Sequence, residues 1–238
     1  MLERKVTYLN NKILYNWLII GIVMKKEDYL KIREIGKGLN DKILNSNKNR
    51  DRVLKSAKDL GLLIKDNIIF NDDKEYDLLM EYILYESELN NKKLLNIFLE
   101  SNYNLSLIEE NLLNAMLNSN LSLFEVIGIQ KETLSVELHD LLNNKIMKLI
   151  DVGFSNTANL GIIIATRLIK ISESEFMSSG ITFLFSSLMK DKIIRELSNE
   201  VFKNRRGKKI NLFLFFLKMS RYYGELVKTY SVSEIEGK

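Results

Sequence analysis

Cysteine and proline are absent from the 238 residues, and histidine occurs once, as His139. Without cysteine there is no disulfide, no thiol nucleophile and no Cys-ligated zinc or iron–sulfur site. Without proline, helices run without enforced breaks and no X-Pro isomer can act as a switch. A single histidine excludes multi-histidine metal sites. Any Ser–His–Asp triad must use His139, and no G-x-S-x-G elbow supplies its serine. His139 and Asp140 are neighbours in VELHDLL, so on a strand they point to opposite faces and form no dyad.

Long apolar runs are missing too. ILYNWLIIGIVM from Ile13 and INLFLFFLKM from Ile210 fall well short of the roughly 20 residues that cross a bilayer. The first leads into KKED rather than a small-residue cleavage site. The expectation is a soluble, cytoplasmic chain with no membrane partner. Phosphate-loop patterns fail as well: Gly36-Lys37-Gly38 sits inside a helical pattern with no strand before it. Asp72/Asp73 and Glu109/Glu110 read as helix-start acids. No cofactor and no metal site is expected, and the chain reads as non-enzymatic.

What is present is charge, unevenly placed. The net charge of +4 divides into +7 over residues 1–60, −7 over 61–120, −2 over 121–185 and +6 over 186–238. Two basic ends flank an acidic middle. Either the ends pack against the middle and the charges offset each other, or both ends grip an anionic partner.

The first 120 residues are expected to form a helical domain. Tyr29, Ile32, Ile35, Leu39 and Ile43 fall on one helical face. Asn47 or Asn49 suits an N-cap, and Gly61 suits the position just after a helix. LLI and IIF around KDN predict a short hairpin, so residues 48–70 have the helix–hairpin order of a winged helix. Acidic helices follow, read from DDKEYDLLMEYILYES, NKKLLNIFLES and SLIEENLLNAMLNS; in the last, Ser106 and Glu109 have capping-box spacing.

After Asn120 the pattern changes to short β-branched and aromatic runs. LFEVIGIQ, TLSVELHDLL, KIMKLIDVGF, GIIIATRLIKI and ITFLFSSL suggest five strands over 121–187, with SSG before Ile181 as punctuation. A small antiparallel β barrel suits them, because closure removes edges. Helices close the chain over 188–231. The fold class is α+β.

Taken in order, AKDLGLLIKDNIIF, DLLMEYILYE, LLNAMLNSNLSLFEVI, VELHDLL, IDVGFSNTANLGIIIATRLI and EFMSSGITFLF resemble a family of uncharacterised bacterial and archaeal proteins. The resemblance spans roughly residues 28–185 and leaves out the last fifty. It implies an arrangement of elements and no chemistry.

Within DVGFSNTANLGIIIATRLIK, Asp151 ends one expected strand and Arg167 lies in the next. The two are read as a cross-strand pair, structural or ligand-binding. Lys48, Arg52 and Lys55 share a helix face before the expected wing, with Arg50 and Lys58 beside them. KNRRGKK adds Lys203, Arg205, Arg206, Lys208 and Lys209. These ten side chains are the candidate nucleic-acid contacts, against the alternatives of a solvated face or another acidic partner. Phe213, Phe215 and Phe216 read as packing residues of a helix that docks on its own domain and on a second chain. The leading expectation is a non-enzymatic nucleic-acid-binding or regulatory module, with DNA or RNA met by the basic groups at both ends of the chain. The alternatives are a protein–protein adaptor, of a host-defence or mobile-element system, or a homodimer, joined through the apolar C-terminal helix, and a metal-dependent hydrolase using acidic residues.

Overall fold

The structure is a computed structural model that describes residues 25–101, 103–203 and 210–224. Helix α1, Lys26–Ser46, buries Tyr29, Leu39 and Ile43 and packs Ile32 and Ile35 beside them. Helix α2, Arg50–Asp59, starts where the Asn49 side chain accepts the Arg52 N–H at 3.0 Å. Gly61 follows it at φ +72°, a conformation that costs glycine little. The hairpin of β1 (Leu63–Ile64) and β2 (Asn67–Ile68) then turns through Lys65 and Asp66, both at positive φ.

The same unit then recurs. Helix α3, Asp73–Tyr85, is capped by Asp72, and the hairpin β3 (Glu88–Leu89)/β4 (Lys92–Lys93) turns through Asn90 and Asn91, again at positive φ. This second hairpin stands where the sequence pattern suggested only helices. Helix α4, Leu94–Glu100, and helix α5, Leu107–Leu117, complete the front. In α5 the Ser106–Glu109 capping box forms as its spacing requires.

Strands β5 (Asn120–Gln130), β6 (Ser135–Asp140), β7 (Lys145–Ile150), β8 (Ile163–Lys170) and β9 (Glu175–Phe185) close a barrel in the order β5-β6-β7-β9-β8. All pairs are antiparallel except β7 with β9, so the barrel is not wholly antiparallel. The parallel third and fifth strands, with one-turn helix α6 (Phe154–Thr157) between the third and fourth, give the strand order of OB-type barrels. Residues 151–162 therefore form a crossover rather than a tight turn. The SSG segment lies inside β9, which bulges opposite Arg167: Thr166 pairs with Thr182, and Leu168 pairs with Ser178.

Successive strand residues alternate between two cores. Phe124, Val126, Val136, Leu138, Leu149, Ile164 and Leu168 fill the barrel. Leu121, Leu123, Ile163, Ala165, Phe183 and Phe185 face outward and join the larger core shared with the helices. The helical front and the barrel thus meet at residue 120 in the chain but share one hydrophobic core.

After a short turn at Ser187–Met189, helix α7 (Lys190–Lys203) and helix α8 (Leu212–Tyr223) close the chain. Phe213, Phe215, Phe216, Leu217 and Met219 of α8 are buried. Phe213 meets Tyr82 and Phe183 edge-on. The apolar side of α8 is therefore used within its own chain.

Candidate functional site

The basic residues of α2, and Lys48 just before it, separate into two groups. Lys48, Arg50 and Lys58 are exposed. Arg52, expected on the same exposed face, is 1% exposed. Its Nη1 donates to the Ser87 carbonyl at 2.6 Å and its Nη2 to the Lys92 carbonyl at 3.1 Å. Its Nε is buried without a partner, and burial lowers its pKa. Lys55 donates to the Glu88 carbonyl at 2.7 Å. The β3–β4 hairpin covers this face of α2, so Arg52 is withdrawn from the candidate phosphate contacts.

A cleft of about 950 Å³ opens between α2, α3, the β3–β4 hairpin, α7 and α8. Lys55, Lys93, Lys203 and Lys218 line it, and so do Asp59, Glu86, Glu88 and Glu200. Tyr82, Ile210, Leu214 and Phe215 supply ring and aliphatic surface. The Tyr82 hydroxyl donates to Asp59 at 3.2 Å; burial, then the Asp59 charge, pushes the phenol pKa up. Lysines from both ends of the chain thus reach one cleft, interleaved with acids. Arg205, Arg206, Lys208 and Lys209 lie outside the described residues, although Lys203 and Ile210 on either side of that segment line the cleft.

Asp151 and Arg167 do not pair with each other. Strand β7 neighbours β6 and β9, whereas β8 neighbours β5 and β9. The Asp151 carboxylate accepts the Phe154 N–H at 2.8 Å and lies 3.5 Å from the hydroxyls of Tyr29 and Ser178. Burial and the Asp151 charge raise the Tyr29 pKa to about 12. Arg167 forms an ion pair with Glu86, donates to the Ser119 carbonyl at 2.8 Å and lies 4.5 Å above the Tyr85 ring.

The β9 bulge completes this buried network. Arg33 of α1 donates to the Ser178 carbonyl at 2.6 Å, and the Ser179 hydroxyl donates to Glu81. Glu81 is buried, and desolvation raises its pKa to about 7, against the bond from Ser179 and the charges of Arg167 and Arg33. Glu86 joins the two sites, because it lines the cleft and binds Arg167. Among the described residues, no three His, Cys, Asp or Glu side chains gather as a metal site would need.

A family model described as a Family of unknown function (DUF7986) matches residues 24–230. The chain belongs to this family. The DUF7986 match runs past the resemblance seen over 28–185 and takes in both closing helices. No curated protein and no solved structure matches the chain. Segments that carried the resemblance meet in the buried network: Glu81, Tyr85 and Glu86 from DLLMEYILYE, Asp151 from IDVGF, Arg167 from ATRL, and Ser178 and Ser179 from MSSG. Among the described residues no helix is long and apolar enough to cross a membrane.

Proposed function

We propose that this protein is a non-enzymatic regulatory module that binds nucleic acid, DNA or RNA, in the cleft between α2–α3 and α7–α8. The single observation that carries the reading is the convergence of Lys55, from the N-terminal helices, with Lys203 and Lys218, from the closing helices, on one cleft. Lysines that face a shared cleft can neutralise phosphates, here in competition with the four carboxylates of the same lining. The β1–β2 hairpin after α2 would act as a wing beside the cleft, with Lys48, Arg50 and Lys58 as outer contacts.

The barrel serves as scaffold in this reading. Strand order alone assigns no function. The outward rows of its β5–β6–β7 face are Glu125–His139–Ile146 and Gly128–Glu137–Lys148. They offer no Phe, Tyr or Trp ring for a base to stack upon.

The test is fluorescence anisotropy with labelled single-stranded DNA, duplex DNA and RNA at ~50 mM salt, where phosphate contacts are strong. At least one of them is expected to bind the intact chain and to release it when Lys55, Lys203 and Lys218 are changed together to Glu. No binding by any of the three refutes the reading. A second reading, a polypeptide partner, is favoured by the four carboxylates and the apolar lining of the same cleft. It places the partner in the cleft rather than on α8, whose apolar side is already buried.

A further inference from the structure

One end of the barrel opens into a second cavity of about 460 Å³. All five strands line it: Ser122 and Phe124 from β5, Asp140 from β6, Lys145 and Met147 from β7, Leu168 from β8 and Phe176 from β9. The size is within the range of small-molecule sites, and barrel mouths are a recurrent place for them. Its deeper wall is apolar, built from Phe124 and Leu168 of the barrel core with Met147 and Phe176 packed against it.

Two side chains of opposite charge stand at this mouth. Asp140 and Lys145 are register partners on β6 and β7, yet they are not among the ion pairs of the described residues. Asp140 is 4% exposed and held in place by its own loop. Its Oδ1 accepts the Ser122 hydroxyl and the backbone N–H groups of Leu142 and Asn143 at 2.7–3.0 Å. Its Oδ2 accepts only the Asn143 amide at 2.9 Å, which leaves acceptor capacity on that oxygen. Lys145 is exposed, and among the described residues no carboxylate pairs with it. A positioned anion and an uncommitted cation thus border an apolar pocket.

We propose that the barrel mouth binds a small zwitterion with an apolar body, of the class of aromatic or branched α-amino acids and short apolar peptides. The ligand's ammonium would donate to Asp140, its carboxylate would meet Lys145, and its apolar part would enter against Phe124, Met147, Leu168 and Phe176. A ligand with only one charge would leave one of the two protein charges unmatched.

Isothermal titration calorimetry of the full chain tests this with L-phenylalanine and L-leucyl-L-phenylalanine, against phenethylamine and 3-phenylpropanoate as single-charge probes. At least one zwitterion is expected to bind at about 1 mM or tighter, and each single-charge probe roughly tenfold more weakly. Lys145→Gln, at an exposed position, should weaken the zwitterion roughly tenfold while leaving the melting temperature unchanged. Asp140→Asn, which keeps an oxygen for the loop N–H groups, should do the same to binding. If that variant fails to fold, Lys145→Gln and the single-charge probes still decide. Absence of zwitterion binding up to about 10 mM, equal binding of a single-charge probe, or full binding by Lys145→Gln overturns the proposal.

Discussion

Arg167, in the middle of β8, meets its carboxylate 81 residues earlier in the chain, at Glu86 beyond the end of α3. The same guanidinium holds the carbonyl of Ser119, just before β5, and lies against the Tyr85 ring. One side chain therefore fastens the helical front to the barrel. Both partners are largely buried, so each depends on the other for its solvation.

Removing one member of this pair should be costly. Arg167→Met is expected to lower unfolding stability by about 3–5 kcal/mol, since Glu86 is left without its cation. Adding Glu86→Gln should recover part of that loss. Urea denaturation of the two variants checks both statements.

Arg52 gives a prediction that separates structure from binding. Arg52→Met removes one buried and one part-buried hydrogen bond to carbonyls and should cost roughly 2–4 kcal/mol, because Ser87 and Lys92 lose their donors. Lys48→Gln, Arg50→Gln and Lys58→Gln, at exposed positions, should each stay within about 0.5 kcal/mol of the parent. Thermal melts of the four variants decide. A neutral Arg52→Met would mean that this side chain is not part of the fold.

Glu81 sets a pH dependence. Its folded pKa of about 7 stands above the ordinary carboxylate value of 4.5. The folded state therefore holds its proton more tightly than the unfolded chain, and this contribution is fully present below pH ~4.5 and lost as pH rises through about 7. Glu81→Gln keeps a neutral group against Ser179. It should stabilise the protein at pH 8 by an amount of order 3 kcal/mol and have little effect near pH 4.5. Denaturant midpoints across that range are the measurement, and a variant whose effect is flat with pH would contradict the assignment.

Much of the fold was legible because it is written in local signals. The α1 face, the Asn49 cap, Gly61, the first hairpin and the Ser106–Glu109 box each rest on residues of one continuous short segment. The second hairpin escaped because ELNNKK has no β-branched residue; its one sign is Asn90-Asn91, a pair that tolerates positive φ. Arg52 was misplaced for a different reason. Its helical spacing is that of an exposed basic stripe, and only the hairpin that covers it, 35–40 residues later, makes the position buried. The Asp151–Arg167 pairing failed because β7 and β8, consecutive in sequence, are not neighbours in this barrel. Lys55 and Lys203 were singled out separately as basic residues, and the fold brings them to the lining of one cleft.

The central claim, that lysines from both ends of the chain act together on phosphates, is tested most directly by the salt dependence of nucleic-acid affinity. The slope of log affinity against log salt should fall in magnitude by about 0.7–0.9 for each phosphate contact removed, hence by roughly 2–3 when Lys55, Lys203 and Lys218 are changed together to Gln. A variant that binds with the parent's affinity and slope would contradict the account.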